Sequence, residues 1–146
     1  MAEADRAATW QAIVPSGEFY HLQRDRLHHS PAVRAGQLLI CSGVVGAEAS
    51  GKLVPEPGAQ IERAFENLAR LLVDCGASLG EVAELLTFHV DFDRHIGRFA
   101  EAKDKRFASA PYPAWTAIGV ASLAFGAVVE IRAVAAPAAW QKGGPR

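Results

Sequence analysis

Glu130 is the only acid in the apolar run from Val128 to Ala136, and Arg132 follows it two positions later. A carboxylate set between Val129 and Ile131 costs several kcal/mol if it is buried unpaired, unless it takes a proton. Such a group either orients water and exchanges protons, or it is neutralised by an arginine, Arg132 or Arg34 being the candidates. In a strand, Glu130 and Arg132 share a face at roughly 6.8 Å spacing. Trp115 and Thr116, in PYPAWT, would add an aromatic face and a small hydroxyl. Ser42 and Gly43 follow an apolar run without a G-x-S-x-G elbow, so their backbone N–H groups, as oxyanion-type donors, are better candidates than the hydroxyl. His29 is a candidate proton shuttle or a cleft-rim histidine, whereas His28 points the other way in an extended chain. His89 and His95 lack the i, i+4 spacing and acidic companions of a zinc motif, so no metal is expected. Cys41 reads as a small apolar residue and the glycines make no phosphate-cradling pattern.

The elements that must position these groups follow from periodicity. Short strands are expected at Trp10–Val14 and Tyr20–Gln23, and a clearer one over Leu38–Val45 before a turn at Ser50-Gly51. Between Pro57 and Cys75 the residues Ile61, Ala64, Phe65, Leu68, Leu71 and Leu72 fall on one helical face, and Gly76 stops the helix. Ser78 and Glu81 have capping-box spacing and lead into a strand over Leu85–Phe92. Asp93 caps a second helix in which Ile96, Phe99, Ala100, Lys103 and Phe107 share a face and Glu101 can pair with Lys105. Strands over Ala114–Ala121 and Val128–Ala136, joined through Phe125-Gly126, close the chain. This order argues an α+β layer: a mixed sheet with two helices on one face. Several strands are apolar at consecutive positions, so the helix-free face also needs cover, and further copies of the chain would supply it.

With 146 residues, half of them hydrophobic, one domain spanning 1–146 is expected, with about eight loose residues at each end. Fifteen basic and sixteen acidic residues give a formal charge of -1, which offers no field to draw in nucleic acid or an anionic membrane. The two cysteines form no C-x-x-C, and no run reaches the roughly 18 apolar residues of a spanning helix, so a cytoplasmic, membrane-free protein is expected.

HSPAVRAGQLLICSG, then Gln60, Phe65 and Asn67 before GASLGEV, and finally PYPAWT with GAVVEIRAVA, resemble in order and spacing the RidA/YjgF family over His29–Ala136. The family's ending is close to P-A-R-T, a strand, L-P-x-G and V-E-I-x-x-x-A. The resemblance implies a six-stranded mixed sheet with two helices on one face, three copies around a central β-barrel, and ligand clefts between subunits. It also implies cofactor-free hydrolysis of enamine or imine intermediates to keto acids and ammonia, with a Glu ordering water, a Ser-Gly backbone, an Asn and a Tyr shaping the pocket, and an Arg gripping a carboxylate. Glu130, Ser42 and Gly43 match that pattern. Trp115 stands where the family has its Arg, His29 stands near the Tyr, and Phe99 or Ala100 occupies the Asn region. An indole offers one donor where a guanidinium offers a bidentate grip, and losing such a clamp costs about 2–5 kcal/mol. The expected ligand is therefore flatter or less acidic than 2-aminoacrylate, with Arg132 as a substitute cation. The competing readings are a non-enzymatic regulatory or holdase-like trimer and, third, the RNA cleavage attributed to some family members.

Overall fold

The computed structural model describes residues 9–141. Seven strands and three α-helices alternate along the chain: β1 Trp10–Ile13, α1 Glu18–Arg26, β2 Ala32–Ala35, β3 Leu38–Cys41, β4 Val44–Val45, α2 Pro57–Asp74, β5 Val82–His89, α3 Phe92–Arg106, β6 Ala114–Gly119 and β7 Val129–Ala135. The sheet is mixed, in the order β1-β2-β3-β7-β5-β6 with β4 also on β7, and only β5 and β6 run parallel. The α+β architecture is as the sequence implies, with one more strand and one more helix.

The extra helix replaces an expected strand. Residues 20–23 lie in α1, which buries none of its side chains and is weakly amphipathic, so no apolar stripe announces it. Tyr20 ties it to the end of α2 by donating to Asp74 Oδ2 at 2.8 Å. β5 starts and stops three residues earlier than the apolar run suggests, because Phe92 opens α3. Asp91, in the left-handed region at φ 50, precedes that helix and makes no side-chain capping bond, so the expected Asp93 cap lies within the first turn. Glu101 and Lys105 do not pair. Arg106 instead reaches Glu62 at 2.7 Å and Arg98 reaches Glu56 at 3.1 Å, both tying α3 to α2. The loose ends expected at the termini fall partly on residues 1–8 and 142–146, outside the described residues. Ala138–Trp140 nevertheless forms a 3-10 turn, with Trp140 under the Arg34 guanidinium.

α2 forms where its residues predict. Glu56 accepts from the N–H groups of Gly58 and Ala59, Pro57 takes the first turn, and Gly76 ends the helix at φ 83. Its buried face, Ile61, Ala64, Phe65, Leu68, Leu71 and Leu72, meets Leu39, Cys41, Leu85, Val129, Ile131, Ala133 and Ala135 of the sheet. Burying each such large side chain is worth about 1.5–3 kcal/mol, so this layer is the core. The alternate positions of β7, Glu130, Arg132 and Val134, face the opposite, helix-free side.

Candidate functional site

Register across the sheet decides which candidate residues meet. Glu130 pairs with Phe88 on β5 and Val45 on β4, and Phe88 pairs with Ile118 on β6, so these four share the helix-free face. The next row on that face is Arg132, Leu86 and Thr116. Glu130 is half-buried, and among the described residues its carboxylate has neither an ion pair nor a hydrogen bond, so neither Arg132 nor Arg34 neutralises it. Burial raises its pKa, and the nearby His29 partly opposes that rise.

Gly43 makes room for this acid. A Cβ built there would lie 2.0 Å from Glu130 Oε1 and 2.6 Å from its carboxyl carbon, so the carboxylate occupies the volume a side chain would need. Ser42 behaves differently from expectation: its N–H donates to the Pro31 carbonyl at 2.9 Å and its hydroxyl to the Ser30 carbonyl at 2.6 Å. Both of its donors are spent on the chain, which removes Ser42 from the set of oxyanion donors and makes it a strut. The strut lays Ser30 and Pro31 against Ser42 and Gly43 and so brings His29, exposed and next in sequence, towards Glu130.

Trp115 and Phe99 lie on the other side of the sheet. Trp115 pairs with Leu85, whose side chain is in the core, and its indole Nε1–H donates to Thr87 Oγ1 at 2.9 Å. The ring stacks on Phe99 at 5.9 Å between centroids and lies under Lys103 Nζ at 4.7 Å. Phe99 is 0% exposed, wedged among Phe65, His89 and Trp115, and has no surface for a ligand. Within one chain, then, the indole and Glu130 occupy opposite faces, and the structure does not bring the two together. Trp115 is 37% exposed, so it keeps an accessible edge on its own side.

The helix-covered face holds polar groups that sequence reasoning missed. Thr87 Oγ1 accepts from Trp115 and lies 2.7 Å from His89 Nε2, making a buried chain Trp115–Thr87–His89. Burial pushes His89 down to about 4, and its Nδ1 is buried without a partner among the described residues. The alternation of β5 was the available signal, since Leu85, Thr87 and His89 share one side. Gln60 and Asn67 on α2 were quoted only as part of a pattern, yet they hold the site's backbone. Gln60 donates to Val54 O at 2.8 Å and accepts from Val128 N–H at 2.7 Å, while Asn67 donates to the carbonyls of Val45 and Ala47. These bonds fix β4 and the start of β7, the two strands that meet at Glu130.

Among the described residues no group of three or more His, Cys, Asp or Glu side chains could hold a metal ion. No helix is long and apolar enough to cross a membrane. The thiols are suppressed by burial, Cys41 up to about 12 and Cys75 to about 11. A groove of about 300 Å³ between α2 and α3, lined by Gly58, Glu62, Arg98 and Lys105 among others, contains none of the candidate residues.

Comparison with known proteins agrees with the fold. Residues 24–137 match the model of the family described as endoribonuclease L-PSP. The chain is 34% identical over 124 residues to the RutC family protein YjgH of Escherichia coli (strain K12), covering 85% of this chain and 92% of that one. A solved structure of protein YjgH superposes with a TM-score of 0.78 at 32% identity, over 87% of this chain and 95% of the other. A 2-iminobutanoate/2-iminopropanoate deaminase of Dermatophagoides farinae is 29% identical over 110 residues, covering 73% of this chain and 83% of the relative.

Proposed function

The chain belongs to the endoribonuclease L-PSP family, in which the RidA/YjgF proteins fall, and from that premise we propose that it is a cofactor-free hydrolase of small imines or enamines, with Glu130 orienting and deprotonating the attacking water. The observation that carries this reading is the carboxylate itself: half-buried, unpaired, raised in pKa and packed where Gly43 has no side chain. An acid kept unpaired at a cost in stability is suited to exchanging protons with a substrate. The name of the Dermatophagoides farinae relative supports imine chemistry in this family.

Recognition would differ from a carboxylate clamp. Arg132 is the cation that shares Glu130's face, in the row with Leu86 and Thr116, so it is the group from this strand able to meet an acidic substrate. Elsewhere that face is apolar: Trp10, Leu38 and Ile118 are 53%, 42% and 40% exposed. Such a surface favours cover by further copies, which is the support for a homotrimer with clefts at the seams. Trp115 takes part in a Glu130 cleft only if the helix side of β6 in one copy approaches the open face of another.

The test is ammonia release from short-lived imines generated in situ, comparing the wild-type chain with Glu130→Gln. Loss of turnover by about 100-fold or more in the variant supports the assignment, and equal turnover removes Glu130 from the chemistry. RNA hydrolysis has less support, because a formal charge of -1 and the apolar surroundings of Glu130 offer little to a phosphate backbone.

A further inference from the structure

We propose that His29 is the second proton-transfer group of the Glu130 site and that Ser42 is a positioning residue that presents it. The proposal rests on the hydrolase reading above and adds to it the group that protonates the leaving nitrogen.

The residues form a continuous chain of contacts. Glu130 fills the space beside Gly43, Ser42 next to it binds the Ser30 carbonyl at 2.6 Å and the Pro31 carbonyl at 2.9 Å, and His29 directly precedes Ser30. The backbone delivers His29 in a defined way. At the end of α1, His28 takes the left-handed conformation at φ 55, a conformation uncommon for any residue but glycine, and the His29 N–H returns to the Gln23 carbonyl at 3.3 Å. His29 Nδ1 lies 3.4 Å from the Ser30 carbonyl, the same oxygen that Ser42 holds. That long contact leaves Nε2 as the ring atom to exchange a proton, and a carbonyl orienting one imidazole nitrogen while the other works is a common arrangement for an acid-base histidine. His29 is exposed, so a substrate can reach it.

The charged surroundings are simple. The charge of His29, from the segment after α1, acts on Glu130, and Arg132 lies two positions along its own strand, while β5 presents Phe88 and Leu86 and β4 presents Val45, none of which titrates. On the His29 side, Asp25 lies close enough to His28 and His21 to feel their charge, and it is bound by Arg24.

The proton balance closes with these two groups. Water adds to the iminium carbon, its O–H proton passing to the Glu130 carboxylate and the C=N π electrons to nitrogen, which gives a neutral carbinolamine. The His29 imidazolium then protonates that nitrogen, and the C–N bond breaks with its electron pair leaving on ammonia. The hydroxyl proton returns to His29 as the carbonyl forms, and Glu130 gives its proton to ammonia. The net reaction is iminium plus water to carbonyl compound plus ammonium, with both residues restored.

The experiment has one arm that needs no substrate. The side-chain carboxyl of Glu130 is followed by NMR in protein carrying ¹³C-labelled glutamate, assigned by its absence in Glu130→Gln, across a pH titration of the wild-type chain, His29→Ala and Ser42→Ala. Removing the cation that favours the carboxylate moves the Glu130 midpoint upward in His29→Ala, and releasing the strut moves it the same way in Ser42→Ala. An unchanged midpoint in His29→Ala overturns the pairing. In the second arm, ammonia release from imines falls about 100-fold in kcat for His29→Ala with little change in KM, and the alkaline limb of the pH profile disappears. Wild-type turnover and an intact limb in that variant overturn the proton-transfer role. A wild-type chain that hydrolyses no imine defeats the hydrolase reading, while the carboxyl titration still decides whether the pair exists.

Discussion

The two faces of the sheet treat polar side chains in opposite ways. On the helix-covered face Thr87, His89 and Trp115 are bonded to one another and stacked under α3, and the one buried atom of this trio without a partner among the described residues, His89 Nδ1, is sealed from solvent. On the open face Glu130, Arg132 and His29 have no ion pair between them among the described residues, although strand geometry sets the two β7 charges side by side. A buried polar group locked by neighbours specifies a structure, whereas a half-buried one left unpaired remains able to bind and exchange protons. The indole, expected from sequence to offer an aromatic face to a ligand, belongs by its bonds to the first class, and the glutamate to the second.

Two glycines separate these roles most sharply. At Gly46 a Cβ would lie 2.0 Å from the backbone carbonyl of Gln60, which the helix cannot move, so Gly46→Ala should destabilise the fold by about 3 kcal/mol or more in chemical denaturation. At Gly43 the obstacle is the end of the Glu130 side chain, which can swing away. Gly43→Ala should therefore unfold close to the wild-type midpoint while its imine turnover drops about 100-fold, since the carboxylate loses its place. A Gly43→Ala protein with full activity would break the link between this glycine and the site.

Trp115→Ala should cost about 2–3 kcal/mol of stability, through the lost Phe99 stack, the Thr87 bond and the cover of Lys103. If the two faces are independent, the Glu130 carboxyl titration stays unchanged in Trp115→Ala. A shift in that variant would couple the indole to the carboxylate and break the comparison.

Sequence periodicity was sufficient for α2, α3 and β7, whose apolar residues recur at clean intervals; Pro57 and Gly76 bounded α2, whereas the start of α3 was set two residues late because Asp93 lies inside the first turn. It also placed Glu130 and Arg132 on one face, because alternation within a strand is a local property. What it could not supply was register between strands: whether Trp115 faces with Leu85 or Leu86 depends on the β5–β6 pairing, and a slip of one residue moves the indole to the other side. α1 was missed for a different reason, since a helix with no fully buried side chain carries little hydrophobic pattern. The bonds that occupy Ser42 were not legible because its partners, Ser30 and Pro31, come from the connection between α1 and β2.

Acid titration should reveal the covered face. His89 titrates near 6.5 when unfolded and is pushed down to about 4 in the fold, so the unfolded chain binds the extra proton first. Its contribution is intact above about 6.5 and is lost as pH falls towards 4, by up to about 3 kcal/mol. Denaturant midpoints measured from pH 7 to pH 4 should show this decline, and a variant with an uncharged residue of similar shape, His89→Gln, should flatten it.

Glu130 should give the opposite and smaller dependence. Its folded pKa is raised by burial, so the folded state holds the proton after the unfolded chain has released it. The resulting penalty is absent below the unfolded carboxylate range near 4.5, grows as pH rises from there, and is fully expressed above the raised folded value. Glu130→Gln removes the charge while keeping the shape, so the variant should be slightly more stable than wild type at pH 7 and indistinguishable from it near pH 4. Exposure of the carboxylate to solvent keeps the gain below that of the His89 effect. A variant less stable at neutral pH would mean that Glu130 has a stabilising partner in solution, which would move it from the open class of polar groups to the locked one.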